Sequence, residues 1–409
     1  MSLGVFWSGE EVGRLEQDES SRAYTFHYTQ DSRAVSLSLP LAQRHFDAFE
    51  SRPFFEALLP EGAVRDQIAH QLKLAVSDSF GLLGELGRDC AGALQIAEAS
   101  RMSEPPSVGW LDDRELDALV EALPRYPLGM HEGDRRLRLS LAGVQHKAVL
   151  VRDVGGRFGR PLDGMPSSHI LKPEGPDGRY PGLATNEYFC MLLAARCGLS
   201  AAQVALVAAA GRPCLVVERF DRDLSSWPPR RLHQEDLCQA LGLTPDFKYQ
   251  KDGWRLPSYR ALAELLDLNS TAPGADRLAG ALAAVFHYLV GNADAHAKNV
   301  SLLHVAGGVR LAPLYDVVCT AAYPELSTEL ALAVGDELEP ESIGSIHWSD
   351  LAEDFGLSAP AFARARRRLV DDVQMQAGLL AREASEKGWH HPCVDSIVDV
   401  VGARAPRVL

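Results

Sequence analysis

The sequence predicts an α+β fold in which strand-rich segments come first and a mostly helical region follows. Apolar and polar residues alternate in GVFWSG, AYTFHYT and AVSLSLP, with Gly, Asp and Ser at the breaks, which is typical of a small antiparallel sheet. Further strand patterns surround one helical stretch, TNEYFCMLLAARCGLS, for which Thr185 or Asn186 is the expected N-cap. Helical periodicity dominates the final 180 residues.

The length and charge of the chain limit the classes of protein to which it can belong. With 409 residues it exceeds one ordinary hydrophobic core and predicts two or three domains. Its 41 Lys and Arg against 55 Asp and Glu give a formal net charge of -14, so it lacks the basic surface of an autonomous DNA-binding protein. Any association with DNA therefore requires a partner.

Cysteine usage and hydropathy indicate a cytoplasmic protein. The seven Cys are odd in number and form no C-x-x-C pair, which favours reduced, buried thiols over a disulfide framework or a zinc ribbon. The N-terminus turns polar within ten residues, unlike a signal peptide. The longest apolar run, Leu278 to Val290, is shorter than the roughly 20 residues that span a bilayer, so no membrane span is expected.

A polar island, GNADAHAKN, carries the first chemical signal. Asp294 and Asn299 are spaced D-x-x-x-x-N, the interval at which a kinase catalytic loop places its base and a magnesium ligand. Phosphoryl transfer needs a carboxylate that faces the acceptor hydroxyl and a nearby amide oxygen that faces a hard cation. The spacing by itself also arises by chance in a chain of this length.

A second carboxylate follows an apolar, strand-like run. In VRLAPLYDVV, Asp316 lies seventeen residues after Asn299, where a hairpin would bring a second metal-binding carboxylate into the same site. The alternative is that Asp316 only caps a turn.

A strand-end Lys and a helical Glu form another candidate pair. Lys172 ends the apolar strand HILKPE, and Glu187 lies near the start of the next helix. A strand Lys held by a helix Glu orients nucleotide phosphates in kinases. The alternatives are a solvated Lys and a Glu that only favours the helix dipole.

The segment SLAGVQHK, residues 140–147, lies where a phosphate-covering loop is expected, although its single glycine matches neither glycine-rich consensus. Backbone N–H groups of an Ala-Gly turn can still cradle phosphates, with Lys147 as a positive partner. Glu218 in CLVVERFDR follows a strand that leads to a candidate adenine-contacting hinge. The alternative there is an ion pair between Glu218 and Arg222.

Two other kinds of site, a zinc site and a catalytic pair of acids, are each suggested by one part of the sequence. A zinc hydrolase would draw on a set of ligands formed by Asp294, His296 and His304, with His287 or His233 as a further ligand. Their spacing differs from the helical H-E-x-x-H pattern, and Lys298 interrupts it. Glu235 and Asp236 form a candidate acid pair, but adjacent residues on a helix point apart, which favours support of a neighbouring loop.

Together the motifs resemble those of the HipA-type serine/threonine kinases, the toxins of HipBA toxin–antitoxin pairs. The resemblance covers most of the chain in the same order, through LPEGAVRDQIA, GRDCAGAL, RLSLAGVQHKAVL, HILKPE, NEYFCMLLAARCGL, ERFDR, LHQEDLCQALG, GNADAHAKN and LAPLYDVV. It implies a two-lobed protein-kinase-like fold, with a small β-rich N-lobe, a helical C-lobe and an additional N-terminal α/β subdomain. The expected boundaries are 1–125 for the subdomain, 126–225 for the N-lobe and 226–409 for the C-lobe.

The resemblance implies a role for each candidate residue. Asp294 would be the catalytic base. Lys172 would be a second catalytic residue that contacts the phosphates, and Asn299 and Asp316 would hold Mg²⁺. The positions implied to contact ATP are Ala142, Gly143, Val144, Gln145, Lys147, Lys172, Glu218, Phe220, His296 and Lys298. Family members autophosphorylate on a Ser before the Ala-Gly of the phosphate loop, and Ser140 takes that position.

The activity implied by the resemblance is that of an ATP- and Mg²⁺-dependent Ser/Thr protein kinase that arrests growth. Its expected substrate is a translation protein such as an aminoacyl-tRNA synthetase, with glutamyl-tRNA synthetase as the best-known case. The expected partner is a small HipB-like helix-turn-helix antitoxin, which would supply the DNA binding that this acidic chain lacks. The alternative is a non-catalytic co-repressor module bound to a DNA-binding antitoxin.

Overall fold

The computed structural model describes residues 1–18, 20–130, 146–175, 178–251 and 256–409. The chain divides into two compact units, one comprising Met1–Pro173 and Ala208–Pro245, the other Glu174–Val207 and Asp246–Leu409. Most strands lie in the first unit and most long helices in the second, which confirms the α+β class. The three-part division of the chain stays a prediction.

The elements are numbered in chain order. The strands are β1 Ser2–Trp7, β2 Glu10–Gln17, β3 Tyr24–Tyr28, β4 His45–Phe46, β5 Leu94–Ala97, β6 Ser107–Trp110, β7 Ala148–Arg152, β8 Phe158–Leu162, β9 His169–Pro173, β10 Val204–Ala209, β11 Arg212–Glu218, β12 Arg222–Asp223, β13 Arg230–Arg231, β14 Gln234–Asp236, β15 Ser301–Val305 and β16 Gly308–Leu311. The helices are α1 Ala48–Ala57, α2 Gly62–Leu72, α3 Ser79–Leu86, α4 Asp113–Ala122, α5 Leu183–Arg196, α6 Leu237–Leu241, α7 Tyr259–Asn269, α8 Pro273–Leu289, α9 Ser345–Asp354, α10 Ala359–Glu386 and α11 Pro392–Val408.

The N-terminal sheet has the strand order β4-β3-β2-β1-β5 with antiparallel neighbours, which confirms the sheet predicted from GVFWSG and AYTFHYT. The prediction for AVSLSLP is wrong, because this segment forms only an isolated bridge between Ser36 and Leu39. Inward-facing residues such as Val5, Leu15 and Phe26 are fully buried, and α1 packs on β3. Gly13 in β2 leaves no room for a side chain, because a Cβ there would lie 2.4 Å from the Phe26 ring. The pattern of period two thus defines one buried face.

A second antiparallel sheet of the first unit runs in the order β11-β9-β7-β8-β6. One of its faces carries the opposed residues Ala148, Leu171 and Val216, all buried. This sheet carries Lys172 in β9 and Glu218 at the end of β11. It is therefore the framework for the candidate nucleotide-binding residues of the first unit.

A buried ionic cluster also lies in the first unit, formed by Asp89, Arg219, Asp221, Arg222 and Arg231. Asp89 contacts Arg222 at 2.9 Å and Arg231 at 3.1 Å. Asp221 contacts Arg219 at 2.7 Å and Arg222 at 2.9 Å. Burial alone would raise the pKa of the Asp89 carboxyl, but the three guanidinium groups lower that pKa below its ordinary value. The carboxylates are therefore held ionised.

Helices α5 and α7 to α11 form most of the second unit, together with the β15–β16 hairpin, which confirms the predicted helical end. The 28-residue α10 packs against α5, α8, α9 and α11. Phe286, Trp348 and Val370 are fully buried. Across the described ranges, no helix is both long and apolar enough to cross a membrane. All seven Cys carry free thiols, and six of them are buried, as the sequence predicts.

Candidate active site

The polar island after α8 is one tightly bonded loop. Gly291 ends the helix with a φ of +72°, and a Cβ there would lie 2.8 Å from Val400. The side-chain amide of Asn299 donates to the backbone carbonyl of Asp294 at 2.9 Å. The structure therefore brings Asp294 and Asn299 together in the loop, with the Asp294 side chain exposed and Asn299 buried.

Buried polar residues hold the backbone of this loop. Oδ1 of the Asn292 side chain accepts from the Asp294 backbone N–H at 3.0 Å, and Nδ2 of the same side chain lies 3.1 Å from Nδ1 of His287. The Thr320 hydroxyl accepts from the Ala293 N–H at 2.8 Å and donates to the carbonyl of Gly291 at 3.0 Å. The position of Asp294 is thus determined from both sides of the loop.

His287 makes this support sensitive to acid. Burial lowers its pKa from 6.5 to about 4, because no charged partner compensates for the lost hydration of the imidazolium. The unfolded chain therefore takes up a proton near pH 6.5, whereas the folded chain does not until about pH 4. Acidification between these values is expected to lower the free energy of unfolding by up to about 3 kcal/mol.

Replacing His287 with Gln tests this expectation, because Gln does not titrate. Urea unfolding from pH 7 to pH 4 should give a shallower loss of stability for His287→Gln than for the wild type. The exposed His70 supplies the control, and His70→Gln should follow the wild-type curve. Parallel curves for the wild type and His287→Gln would rule out a neutral, buried His287.

Asp316 follows β16 and is fixed to the same loop through its neighbour. The Tyr315 hydroxyl donates to the carbonyl of Lys298 at 2.6 Å and lies 2.7 Å from the hydroxyl of Ser301. Asp316 itself has a φ of +57°, a left-handed conformation that is uncommon for a residue with a side chain. Such a conformation persists where the surroundings determine it, which is frequent at functional sites.

Asn186 fixes the chain on the other side of Asp316, a role that the sequence reasoning missed. Its amide accepts from the Cys319 N–H at 2.8 Å and donates to the Cys319 carbonyl at 3.0 Å. The sequence predicts Thr185 or Asn186 as the cap of α5, but both lie inside that helix, and Asn186 is fully buried. Two hydrogen bonds to a single distant residue now account for its position.

The start of α5 also differs from the prediction. The helix begins at Leu183 rather than near Thr185, because Glu174 supplies the cap from outside. The Glu174 carboxylate accepts from the N–H groups of Gly182 at 2.5 Å, Leu183 at 3.2 Å and Ala184 at 3.1 Å. The first backbone N–H groups of a helix have no partner within it, and here the Glu174 carboxylate accepts them, so the helix can begin before Thr185.

The oxygens of Asn299 and Asp316 suit a small, hard cation. The Asn299 amide nitrogen is committed to Asp294, which fixes the orientation of its carbonyl oxygen. Among the residues that the structure describes, none donates a hydrogen bond to that oxygen. An amide oxygen and a carboxylate are ligands that Mg²⁺ accepts in proteins. The residues present therefore fit the cation that the sequence predicted.

The zinc-hydrolase alternative would need a cluster of metal-binding side chains. Within the described ranges, no group of three or more His, Cys, Asp and Glu side chains is arranged to hold a metal. His304 lies in β15, as expected for a residue beyond the site. His296 is buried, and its backbone N–H donates to the Asp294 carbonyl at 2.8 Å, so it shapes the loop. A nucleotide contact of His296 or of the buried Lys298 stays a prediction.

Two lysines lie side by side in the first unit. Ala148 of β7 pairs with Leu171 of β9 in antiparallel register, and extending that register by one residue before the start of β7 sets Lys147 opposite Lys172. Both are buried, with 6% and 7% of their surfaces exposed. Opposed residues on neighbouring antiparallel strands share one face of the sheet, so two positive charges are concentrated there. This arrangement suits phosphate groups, which carry several negative charges.

In the ERFDR stretch, Arg222 has partners other than Glu218. Arg222 pairs with Asp89 and Asp221, so the alternative ion pair between Glu218 and Arg222 does not form. Glu218 is half-buried, and burial raises the pKa of its carboxyl. Phe220 is half-buried as well. The role of Glu218 and Phe220 beside an adenine ring stays a prediction.

Glu187 lies near the start of α5, as predicted, whereas Glu235 and Asp236 precede α6. Glu187 is buried inside α5. Glu235 accepts from the Leu37 N–H at 3.1 Å, and Asp236 caps α6. Both residues precede α6 instead of lying on it. Through these hydrogen bonds they support the neighbouring loop and the start of the helix, as expected. Residues 140–145 of the predicted phosphate loop lie outside the described residues, which leaves these positions without a structural account: Ser140, Ala142, Gly143, Val144 and Gln145.

Comparison with known proteins identifies relatives over the whole chain. The HipA N-terminal domain matches residues 3–97, and the HipA-like C-terminal domain matches residues 139–377. A Sinorhizobium fredii protein named "Putative kinase Y4mE" is 38% identical over 420 residues, covering 99% of this chain and 98% of the relative. The serine/threonine-protein kinase toxin HipA of Shewanella oneidensis is 29% identical over 360 residues, covering 85% of this chain and 81% of that protein.

A solved structure extends the similarity to the fold. It is the complex of HipA, HipB and operator DNA from the toxin–antitoxin system of Shewanella oneidensis MR-1. One of its chains matches with a TM-score of 0.83 and 27% identity, covering 99% of this chain and 97% of that chain.

These relatives place the chain in the class of serine/threonine-protein kinases. The two domain matches cover most of its length. The chain belongs to the HipA family, which confirms the resemblance seen in its motifs.

Proposed function

We propose that the chain is an ATP- and Mg²⁺-dependent serine/threonine protein kinase that acts as the toxin of a toxin–antitoxin pair. The observation that carries the proposal is the loop in which Asn299 is bonded to Asp294 and Tyr315 ties the Asp316 segment to Lys298. Phosphoryl transfer depends mainly on positioning and on charge stabilisation. A carboxylate beside a candidate cation site, both on a fixed backbone, meets these two needs.

In the proposed reaction, Asp294 takes the proton of a Ser or Thr hydroxyl. The acceptor oxygen bonds to the γ-phosphorus of ATP as the bond from that phosphorus to the β–γ bridging oxygen breaks, and ADP leaves with the electron pair. Asn299 and Asp316 would hold Mg²⁺, which when bound neutralises charge on the phosphates. Exposure of Asp294 makes it accessible to a hydroxyl on another protein.

The proposed nucleotide contacts begin with the two buried lysines of the first unit. Lys147 and Lys172 would contact the phosphates, since they concentrate positive charge on one face of the sheet. The other residues proposed to contact ATP are Ala142, Gly143, Val144, Gln145, Glu218, Phe220, His296 and Lys298.

Ser140 is the proposed site of autophosphorylation. Phosphorylation adds nearly two negative charges, and Ser140 is seven residues before Lys147. A phosphate there would compete with ATP for the positive charge of the lysine pair. The modification would therefore reduce nucleotide binding.

The proposed substrate and partner rest on family membership and charge. An aminoacyl-tRNA synthetase, such as glutamyl-tRNA synthetase, is the proposed acceptor. The proposed partner is a HipB-like helix-turn-helix antitoxin, and the HipA relative of Shewanella oneidensis was solved with HipB and operator DNA. Because the net charge of this chain is -14, the antitoxin would supply most of the attraction to DNA phosphates.

Labelling with γ-³²P-ATP tests the proposal. The wild-type chain should incorporate label with Mg²⁺ but not with a chelator, and mass spectrometry should locate a phosphate on Ser140. Asp316→Asn should lower labelling by about 100-fold at low Mg²⁺ and recover part of it at high Mg²⁺, because a charged ligand has been removed.

The control for this experiment is Asp336→Asn, which changes an exposed carboxylate of the same unit and should label like the wild type. Absence of both ATP binding and labelling in the wild-type chain would contradict a kinase and favour the co-repressor module. Labelling of Asp316→Asn at the wild-type rate and Mg²⁺ dependence would exclude Asp316 as a cation ligand.

A further inference from the structure

Tyr249 donates a hydrogen bond to the proposed catalytic base. Its hydroxyl lies 2.7 Å from Oδ1 of Asp294. In the part of the chain that the structure describes, no other group donates to this carboxylate. Tyr249 comes from the segment before α7, 45 residues from Asp294, and none of the motifs in the sequence includes it.

The backbone on either side of Tyr249 is fixed to the loop that contains Asp294. The carbonyl of Lys248 accepts from the Ala297 N–H at 3.0 Å. The N–H of Gln250 donates to the Ala331 carbonyl at 2.9 Å, and the Ala331 N–H donates in turn to the Ala293 carbonyl at 3.0 Å. Residues 248–250 therefore form part of the framework of the loop.

The side chain of Tyr249 is also supported. Its ring meets the His296 ring edge to face, with 5.2 Å between ring centroids, a favourable geometry for two aromatic rings. Backbone and ring together place the hydroxyl beside Asp294. Tyr249 is nevertheless 41% exposed, and Asp294 is exposed as well, so an acceptor hydroxyl can approach the carboxylate from solvent.

We propose that Tyr249 is a positioning residue for phosphoryl transfer, an inference that rests on the proposed role of Asp294 as the base. The Tyr249 hydroxyl holds Oδ1, so that Oδ2 is presented to the acceptor hydroxyl. An exposed Asp without this donor would exchange between staggered rotamers. A smaller fraction of molecules would then have the carboxylate in the orientation that takes the proton.

The opposite effect is the competing interpretation, in which the Tyr249 hydroxyl occupies the place of the acceptor and inhibits transfer. Both interpretations use the same distance of 2.7 Å, but they differ in the sign of the effect when the hydroxyl is removed. The fixed backbone of residues 248–250 favours positioning, since an inhibitory group has to leave the carboxylate in every catalytic cycle.

Tyr249→Phe removes the hydroxyl and keeps the ring beside His296. Transfer from labelled ATP to dephosphorylated casein and to the chain itself should show a kcat about 10-fold lower, the effect of losing one hydrogen bond to a charged group. The KM for ATP and the midpoint of thermal unfolding should stay at wild-type values. Tyr188→Phe, in which the ring packs on Trp389 in the same unit, should leave kcat unchanged.

Asp294→Asn in the same assay separates the two proposals. If Asp294→Asn is inactive while Tyr249→Phe transfers as fast as the wild type or faster, the base role stands and the positioning role of Tyr249 is overturned. If Asp294→Asn still transfers at the wild-type rate, or the wild-type chain transfers to neither acceptor, the role of Asp294 fails and the inference about Tyr249 fails with it.

Discussion

Asp294→Asn is expected to lower the rate of phosphoryl transfer by about 100-fold or more while ATP binding is retained, in line with the usual contribution of general base catalysis. Asn has nearly the same shape as Asp and can still accept the Tyr249 hydrogen bond, which spans 2.7 Å in the wild type. It cannot take the proton of the acceptor hydroxyl. The backbone carbonyl of Asp294, which holds Asn299, is not altered.

Steady-state labelling gives kcat for this variant, and titration with a fluorescent ATP analogue gives the dissociation constant. The dissociation constant should differ little from the wild-type value, since the substitution removes a group that faces the acceptor. Asp336→Asn is again the matched control. A parallel loss of nucleotide binding and of rate would indicate a general disturbance of the loop and would count against a base.

The second large effect is expected on stability, at the buried ionic cluster. Asp89→Asn should lower the free energy of unfolding by about 3 to 5 kcal/mol, because Arg222 and Arg231 would stay buried with one carboxylate fewer. In the wild type these guanidinium groups lie 2.9 and 3.1 Å from Asp89, whose side chain is only 2% exposed. Urea unfolding at pH 7 measures the difference.

The pH dependence of this difference has a defined sign. The pKa of the Asp89 carboxyl is lower in the folded chain than its ordinary value near 4, so its ionised form stabilises the fold above that pH. The stabilisation is lost as the pH falls from about 4 toward the folded-state pKa. The gap between the wild type and Asp89→Asn should therefore be constant from pH 7 to about 5 and narrow in stronger acid.

A surface pair provides the comparison for the buried cluster. Asp223 lies 2.7 Å from Arg230, whose side chain is 69% exposed. Asp223→Asn should lower the free energy of unfolding far less than Asp89→Asn, because water screens the pair and solvates either residue alone. Equal losses for Asp89→Asn and Asp223→Asn would contradict the importance of burial.

Local signals were readable in the sequence because their partners are close along the chain. The D-x-x-x-x-N spacing lies within one loop, where Asn299 reaches the carbonyl of Asp294 directly. The strand alternation in the first 40 residues likewise reflects a single sheet with one buried face, and the periodicity of the last 180 residues reflects helices with one buried stripe. In each case the repeat of the element itself carries the information.

Distant contacts were not readable. Asn186 was interpreted as a helix cap, since Asn commonly takes that position, but its partner Cys319 is 133 residues away. Arg222 was considered as a partner of Glu218, whereas it pairs with Asp89, also 133 residues away. Tyr249 carried no motif at all. A single sequence contains no sign of which distant polar group satisfies a buried donor, so tertiary structure alone assigns these three residues.

The ionic cluster also has a consequence for the order in which the chain becomes complete during synthesis. Ribosomes make the N-terminus first, and Asp89 emerges long before Arg219, Arg222 and Arg231. The first unit itself is interrupted, because Glu174–Val207 belongs to the second unit. A nascent chain that ends at Met130 has the whole N-terminal sheet but no guanidinium for Asp89. Its carboxylate has to stay hydrated until 89 further residues have been added, at Arg219, so the N-terminal segment matures late despite being made early.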